Sequence, residues 1–325
     1  MNKCDFHIEH FKGYNIFSKT KYNSKEACII ALGNFDGVHI AHRKLIERAF
    51  QLKNKSGAKK TGVWSFKTNP LEILTGVKHP HILNEQQKIQ ILFDCGIDFV
   101  VSADFSFFRD TEADVFLNDL LKKQFSCAGA VCGYNHIFGK GGKGNSETII
   151  RCFGEDMSEI VPEVKSDNVT VSSSAIRKYI MIGDMEHAKK MMTLPYFLSS
   201  KIIHGKMLGR TIGFPTANQL FEDGRIIPRF GIYASICTLE SGEKFTGVTN
   251  IGIRPTISQN DTHNVNCETY IHGLDRDIYG MEMKTEIFKL LRLEQKFSDI
   301  DKLRSAIEKD SLNAIEYFKN IGLEI

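Results

Sequence analysis

The residues best suited to chemistry lie in Gly33-Asn34-Phe35-Asp36-Gly37-Val38-His39-Ile40-Ala41-His42. Two glycines, an acid and two histidines spaced i, i+3 stand between an apolar run ending at Leu32 and an amphipathic stretch from about Ala41 to Lys55. That spacing puts both imidazoles on one face of the first turn of a helix. A helix N-terminus presents unpaired N–H groups and the positive end of the dipole, so phosphate binds there. Glycine lets the backbone approach such a ligand closely. The chemistry implied is nucleotide binding, with Gly33, Phe35 and Asp36 in the turn and His39 and His42 toward the phosphates.

Other stretches carry related chemistry. Asn135 opens Asn135-His136-Ile137-Phe138-Gly139-Lys140-Gly141-Gly142-Lys143-Gly144, whose glycines and lysines suit a triphosphate or equally a solvated turn. Ser172-Ser173-Ser174 precede a helix, where serine ordinarily caps. Arg177, one turn inside, is a bidentate phosphate donor if it faces the first motif. In the second half, Gly205, Lys206, Gly209, Arg210 and Gly213 supply a cationic loop that wraps phosphate, or a Gly/Pro-rich hairpin. Thr216 and Asn218 fall on one side of an extended segment, where a hydroxyl and an amide oxygen suit Mg²⁺ that phosphates also hold. Asn250 and Arg254 lie in Gly247–Thr256, which joins a strand to a glycine, a cation and a proline. Glu268 sits in the strand-like run Val265–Ile271, either as an outward surface residue or as a positioned base. Arg292 belongs to a charged segment, Leu291–Phe297.

Two architectures are needed to position these groups. From residue 27 to about 155, strand-like runs alternate with helical ones. The strands are Ala27–Leu32, Thr61–Phe66, Ile97–Ser102 and Cys127–Gly133. The helices are Ala41–Lys55, Asn84–Cys95 with an Asn cap, and Thr111–Lys123 opened by Thr111 with Asp114 close to a capping box. Alternation of this kind predicts an α/β doubly wound, mainly parallel sheet. Its ligands sit beyond the carboxyl ends of the strands, in the loops after residues 32, 66, 102 and 133. Helices Ser174–Ile182 and Met185–Met192 lead to Leu194-Pro195, the expected boundary between domains 1–194 and 195–325. Short β-rich segments beyond it predict a closed or nearly closed antiparallel β-barrel. Asp299–Asn320 predicts a C-terminal helix with an Asp cap.

Composition sets the outer limits. A chain of 325 residues suits two domains of about 150 each. The net charge of +3 is too small to argue for nucleic acid or a membrane surface, so any positive field is local and anionic small molecules are the expected partners. The eight cysteines form no CxxC pair and no zinc spacing. No apolar run approaches the about 20 residues of a membrane helix, and the amino end lacks a signal-peptide pattern. The expectation is a cytoplasmic protein with reduced thiols, monomeric or weakly homo-oligomeric.

Taken in order, Gly33–His42, Gly133–Gly139, Ser172–Arg177, Gly205–Asn218, Asn250–Thr256 and Glu268–Gly280 resemble the bifunctional riboflavin kinase/FMN adenylyltransferase family, the bacterial FAD synthetases. The resemblance runs from about residue 15 to the carboxyl end. It implies a nucleotidyltransferase-like first domain that transfers AMP from ATP to FMN, releasing pyrophosphate. It implies a barrel that transfers the γ-phosphate of ATP to riboflavin, with Mg²⁺. By position, His39 and His42 would bind and neutralise the ATP phosphates. Asn135 would lie near phosphates or flavin, and Ser173 and Arg177 would close on the triphosphate. Thr216 and Asn218 would hold Mg²⁺-ATP, Glu268 would accept the ribityl hydroxyl proton, and Asn250, Arg254 and Arg292 would meet the flavin.

The chain departs from the family pattern at three places. Ala41 stands where a glycine is usual, His136 where an aromatic is usual, and Ser199-Ser200 where the barrel normally opens with glycine. Ala41 and His136 motivate an alternative, a kinase whose first domain is weak or inactive. A non-catalytic flavin or nucleotide sensor is a third reading.

Overall fold

Cys28-Ile29-Ile30-Ala31-Leu32 is buried along its whole length, as a central strand covered on both faces requires. The computed structural model describes residues 6–205, 209, 212–253 and 265–323. The chain divides into two units, Asn2–Ser173 and Ser174–Ile325.

The first unit comprises, in order, β1 (His7–Phe11), β2 (Tyr14–Ser18), β3 (Cys28–Leu32), α1 (Ile40–Ser56), β4 (Lys60–Phe66), α2 (Pro70–Thr75), α3 (Glu85–Asp94), β5 (Phe99–Ala103), α4 (Phe105–Phe108), α5 (Ala113–Val115), β6 (Cys127–Gly133), α6 (Ser146–Phe153), β7 (Ser158–Val161) and the hairpin β8 (Lys165–Ser166) with β9 (Val169–Thr170). Seven strands form one sheet in the order β1-β2-β5-β4-β3-β6-β7. Strands β5, β4, β3, β6 and β7 run parallel, and β2 and β1 extend the β5 edge antiparallel. Neighbours β4 and β6 flank β3, and the chain reverses direction across the sheet there. The crevice at that switch point is where an open α/β sheet binds its ligand.

Local signals explain most boundaries. Asn84 caps α3 in a capping box with Gln87, and α1 ends at Gly57 in the left-handed conformation. The segment after Thr111 differs from expectation. The helix starts at Ala113 with Glu112 at the cap and no side-chain cap bond, and Phe116–Gln124 is π-helical. Thr111 does not cap because its carbonyl accepts the Lys140 N–H at 2.8 Å, which draws it into the loop after β6. The π stretch drives Phe116, Leu117 and Leu121 into a core shared with Trp64 and Phe125.

The second unit comprises α7 (Ser173–Ile182), α8 (Met185–Met192), β10 (Tyr196–Lys201), β11 (Thr216–Leu220), β12 (Gly231–Leu239), β13 (Lys244–Ile253), β14 (Val265–Ile271), β15 (Glu282–Leu293) and α9 (Ile300–Asn320). Its six strands form an antiparallel sheet in the order β10-β15-β12-β13-β14-β11. The two edges approach each other: Ile203, just beyond β10, donates its N–H to the Asn218 carbonyl on β11 at 2.8 Å. Asp299 caps α9 by accepting the Lys302 N–H. The helix buries Ala314 and Phe318 against Phe288, Val248 and Ile236.

Candidate active sites

In the first unit, the loop leaving β3 is strained. Phe35 has φ 54°, Gly37 82° and Val38 38°. A left-handed conformation is costly for a β-branched residue such as valine and persists only where the surroundings over-determine it. Four tethers do so. The Gly33 N–H donates to the Trp64 carbonyl at 3.2 Å, and the Ser65 hydroxyl to the Asn34 carbonyl at 2.8 Å. Asp36 Oδ1 accepts the Ile82 and Leu83 N–H groups at 2.9 and 3.2 Å. The Ser173 hydroxyl donates to the Asp36 carbonyl at 2.8 Å. Phe35 is fully buried, so its side chain supports the loop from inside.

The strained loop delivers two imidazoles. His39 is the N-cap of α1, and its Nδ1 accepts the His42 N–H at 3.3 Å. A neutral His39 therefore carries its proton on Nε2. The rings of His39 and His42 stack, with centroids 3.6 Å and planes 10° apart, and Phe35 packs on His42 at 4.7 Å. His42 Nδ1 is buried with no hydrogen-bond partner among the described residues. Burial first, then the neighbouring charges of His39 and Lys88, hold His42 well below the usual histidine range. The first turn of α1 holds no acidic residue, so the positive end of its dipole is left for an anion.

The remaining positions of this half are more scattered. Asn135 is exposed after β6. The His136 ring lies nearly parallel to Phe138 at 5.6 Å and 21°, so an imidazole keeps the flat packing of the missing aromatic. Burial pushes His136 down to about 4. Arg177 lies on α7, grouped with the second unit. Sequence reasoning missed Lys88 and Ser65, which meet at 2.9 Å beneath the loop.

In the second unit, strand register assembles the site. Asn218 on β11 pairs with Glu268 on β14, which pairs with Asn250 on β13. Directly paired residues share a face of the sheet, so these three make one polar row. Asn266, two residues before Glu268 and hence on the same face, was missed by sequence reasoning. Its Nδ2 donates to Asn218 Oδ1 at 2.9 Å and to Glu268 Oε1 at 2.7 Å. The Oδ1 atoms of Asn250 and Asn266 are buried without a partner among the described residues.

Glycines let the backbone close over this row. A Cβ on Gly205 would stand 2.5 Å from Asn218 Nδ2, and one on Gly209 would stand 2.2 Å from the Phe214 carbonyl. Gly213 has φ 87°. A cavity of about 300 Å³ opens beside the β11 end of this row, lined among others by Pro215, Thr216, Asn218, Asp277 and Tyr279, and Asn218 is the member of the row that lines it. Lys206, Arg210 and Arg254 lie outside the described residues. Arg292 is engaged by α9: its Nε lies 3.0 Å from both Asp310 carboxylate oxygens, and a terminal nitrogen lies 2.7 Å from Oδ2.

The donors around Asn218 are hard oxygens: the Thr216 hydroxyl, the Asn218 amide and the Glu268 carboxylate nearby. The orphaned Asn266 Oδ1 adds another. Mg²⁺ takes one or two protein oxygens, keeps waters and shares substrate phosphates. The residues present fit that ion.

Comparison with known proteins decides the family. The FAD synthetase family profile matches residues 21–175 and the riboflavin kinase profile residues 192–318. The chain is 34% identical over 304 residues to the bifunctional riboflavin kinase/FMN adenylyltransferase of Bacillus subtilis, covering 90% of this chain and 93% of that one. The chain belongs to the bifunctional riboflavin kinase/FMN adenylyltransferase family. It is also 32% identical over 302 residues to the Escherichia coli protein of the same name, covering 90% of this chain and 94% of that one. A solved structure described as a macrolide-efflux protein from Streptococcus pneumoniae is similar with a TM-score of 0.81 at 26% identity, covering 90% of this chain and 95% of that one. The enzyme phosphorylates riboflavin to FMN and adenylylates FMN to FAD, the first with its riboflavin kinase domain and the second with its FAD synthetase domain. Among the described residues no helix is long and apolar enough to cross a membrane.

Proposed function

We propose that the two reactions use two separate sets of side chains, within residues 1–194 for adenylyl transfer and 195–325 for phosphorylation. In the first, an FMN phosphate oxygen attacks the α-phosphorus of ATP and pyrophosphate leaves. His39, His42 and the N-terminus of α1 neutralise the phosphates, and Gly33 allows their approach. Asn135 and Ser173 close on the triphosphate. Phe35 and Asp36 act by shaping the loop. Nucleotidyl transfer needs alignment and charge neutralisation more than covalent help.

In the second, Glu268 accepts the proton of the ribityl hydroxyl as that oxygen attacks the γ-phosphorus and ADP leaves. A positioned base of this kind contributes typically 10²–10⁴-fold. Thr216 and Asn218 would hold Mg²⁺, which would offset the negative charge of the ATP phosphates. Gly205, Lys206, Gly209, Arg210 and Gly213 wrap the nucleotide, and Asn250 and Arg254 face the flavin. Arg292 contributes through β15 and α9, since Asp310 occupies its guanidinium. The enzyme works in the cytoplasm on these small molecules.

The observation that carries the reading is the convergence of Asn218, Asn266 and Glu268 on one sheet face, in a chain that also stacks two histidines on a helix N-terminus. Incubating the enzyme with riboflavin, ATP and Mg²⁺ and separating the flavins tests it. FMN followed by FAD is expected, and FMN accumulating without FAD at saturating ATP would leave the kinase alone.

A further inference from the structure

Lys88 is a cationic side chain sealed inside the first unit, 4% exposed, on α3 beside the carboxyl ends of β3 and β4. Its ammonium donates to the Phe66 carbonyl at 2.6 Å, to Ser65 Oγ at 2.9 Å and to the Asn34 carbonyl at 3.4 Å. An ammonium has three hydrogens, and these three oxygens take them all. The Ser65 hydroxyl in turn donates to the Asn34 carbonyl at 2.8 Å. Asn34 immediately precedes the left-handed residues Phe35 and Val38. The buried cation thus braces a strained loop of the sheet, the one that delivers His39 and His42.

Stability alone does not call for a lysine there. Desolvating an ammonium costs several kcal/mol, and apolar replacements of buried charges are often neutral or stabilising. We propose that Lys88 is a positioning residue for adenylyl transfer, its ammonium locking the Asn34–Val38 loop in the conformation that presents His39 and His42 to the nucleotide phosphates. The proposal rests on the reading of His39 and His42 as phosphate ligands. Asp36 from the loop and Glu85 from its own helix face Lys88 and favour its charge, while burial pushes it down to about 8. From α1, His42 feels the ammonium as a like charge. Loss of the Lys88 proton removes one of the three donors, and with the longest bond gone the Asn34 carbonyl is held by the Ser65 hydroxyl alone.

The test compares kcat/KM for FMN adenylylation, which reports the free enzyme, across pH 7 to 10 in the wild type, Lys88→Arg and Lys88→Met. Riboflavin phosphorylation is followed in the same samples. The wild type is expected to lose adenylylation as pH rises through about 8 while phosphorylation shows no such limb. Lys88→Arg keeps its charge, so its limb moves to higher pH. Lys88→Met is expected to lose roughly 10²-fold in adenylylation, the scale of an ångström-size misplacement, with phosphorylation preserved. A wild-type profile in which adenylylation shows no alkaline limb that phosphorylation lacks overturns the proposal, whether or not either variant folds. So does a limb that Lys88→Arg leaves in place, or Lys88→Met with wild-type adenylylation. His42→Ala separates the two readings: if it retains FAD formation, the phosphate-ligand assignment fails; if it loses it while Lys88→Met does not, only the role of Lys88 fails.

Discussion

The imidazole of His39 lies parallel to that of His42, with ring centroids 3.6 Å apart, and its Nδ1 accepts the His42 backbone N–H at 3.3 Å. One side chain therefore caps the helix and forms half of the imidazole stack. These roles separate by mutation. His39→Ala should cost the first unit about 0.5–2 kcal/mol, the usual value of an N-cap, and should lower FAD formation. His39→Asn, a good cap, should restore the thermal transition without restoring FAD formation from FMN. Recovery of both would show that the ring has no role beyond the cap.

Acid should destabilise the fold through its buried and half-buried histidines. Burial holds His42 well below the ordinary range, His136 at about 4, and His272 below its usual value. The unfolded chain takes up these protons at a pKa of about 6.5, and the folded chain does so only at lower pH. The unfolded state binds more protons in that window, so stability is full above pH about 6.5 and falls as pH drops toward 4. Melting temperatures measured from pH 7 to 4.5 should decline, and His136→Phe should flatten the decline. Equal slopes would contradict the assignment of His136.

Asn266 should matter to the kinase alone. It donates to both Asn218 and Glu268, and hydrogen bonds to a charged group are worth about 1.5–3 kcal/mol. Asn266→Ala should lower riboflavin phosphorylation by roughly 10-fold or more by that measure, leaving FMN adenylylation unchanged. A steady-state assay of each reaction decides it.

The Arg292–Asp310 pair ties α9 to β15. Asp310 is 3% exposed, so removing Arg292 leaves a buried carboxylate without its partner, a penalty of about 1–3 kcal/mol for a partly exposed pair. Arg292→Met should therefore lower the second unit's melting temperature while the KM for riboflavin stays near the wild-type value. A large KM increase at unchanged stability would instead make Arg292 a direct flavin ligand.

Much of this was legible before the fold was known, and the exceptions have physical causes. β3, β6, α1 and α3 are announced by local signals: unbroken apolar runs, the Asn84 cap and the glycine after α1. β1 was not legible, because His7-Ile8-Glu9-His10 mixes charge with exposure at a sheet edge. Thr111 carries a cap signature, but a long-range contact with Lys140 takes its carbonyl. Lys88 follows Glu85-Gln86-Gln87 and reads as a solvated face. Only the meeting of α3 with the ends of β3 and β4 shows that it is buried. Asn266 was readable in principle, since alternation along Val265-Asn266-Cys267-Glu268 puts it on the same face as Glu268. Glu268 itself was placed by its motif, and cross-strand register supplied its neighbours.

The division into two independent sites is tested most directly by a pair of variants assayed for both reactions. Glu268→Gln should abolish FMN formation from riboflavin while converting added FMN to FAD at the wild-type rate. His42→Ala should phosphorylate riboflavin normally and accumulate FMN without FAD. If either change disabled both reactions in a folded protein, the two-site account would be wrong.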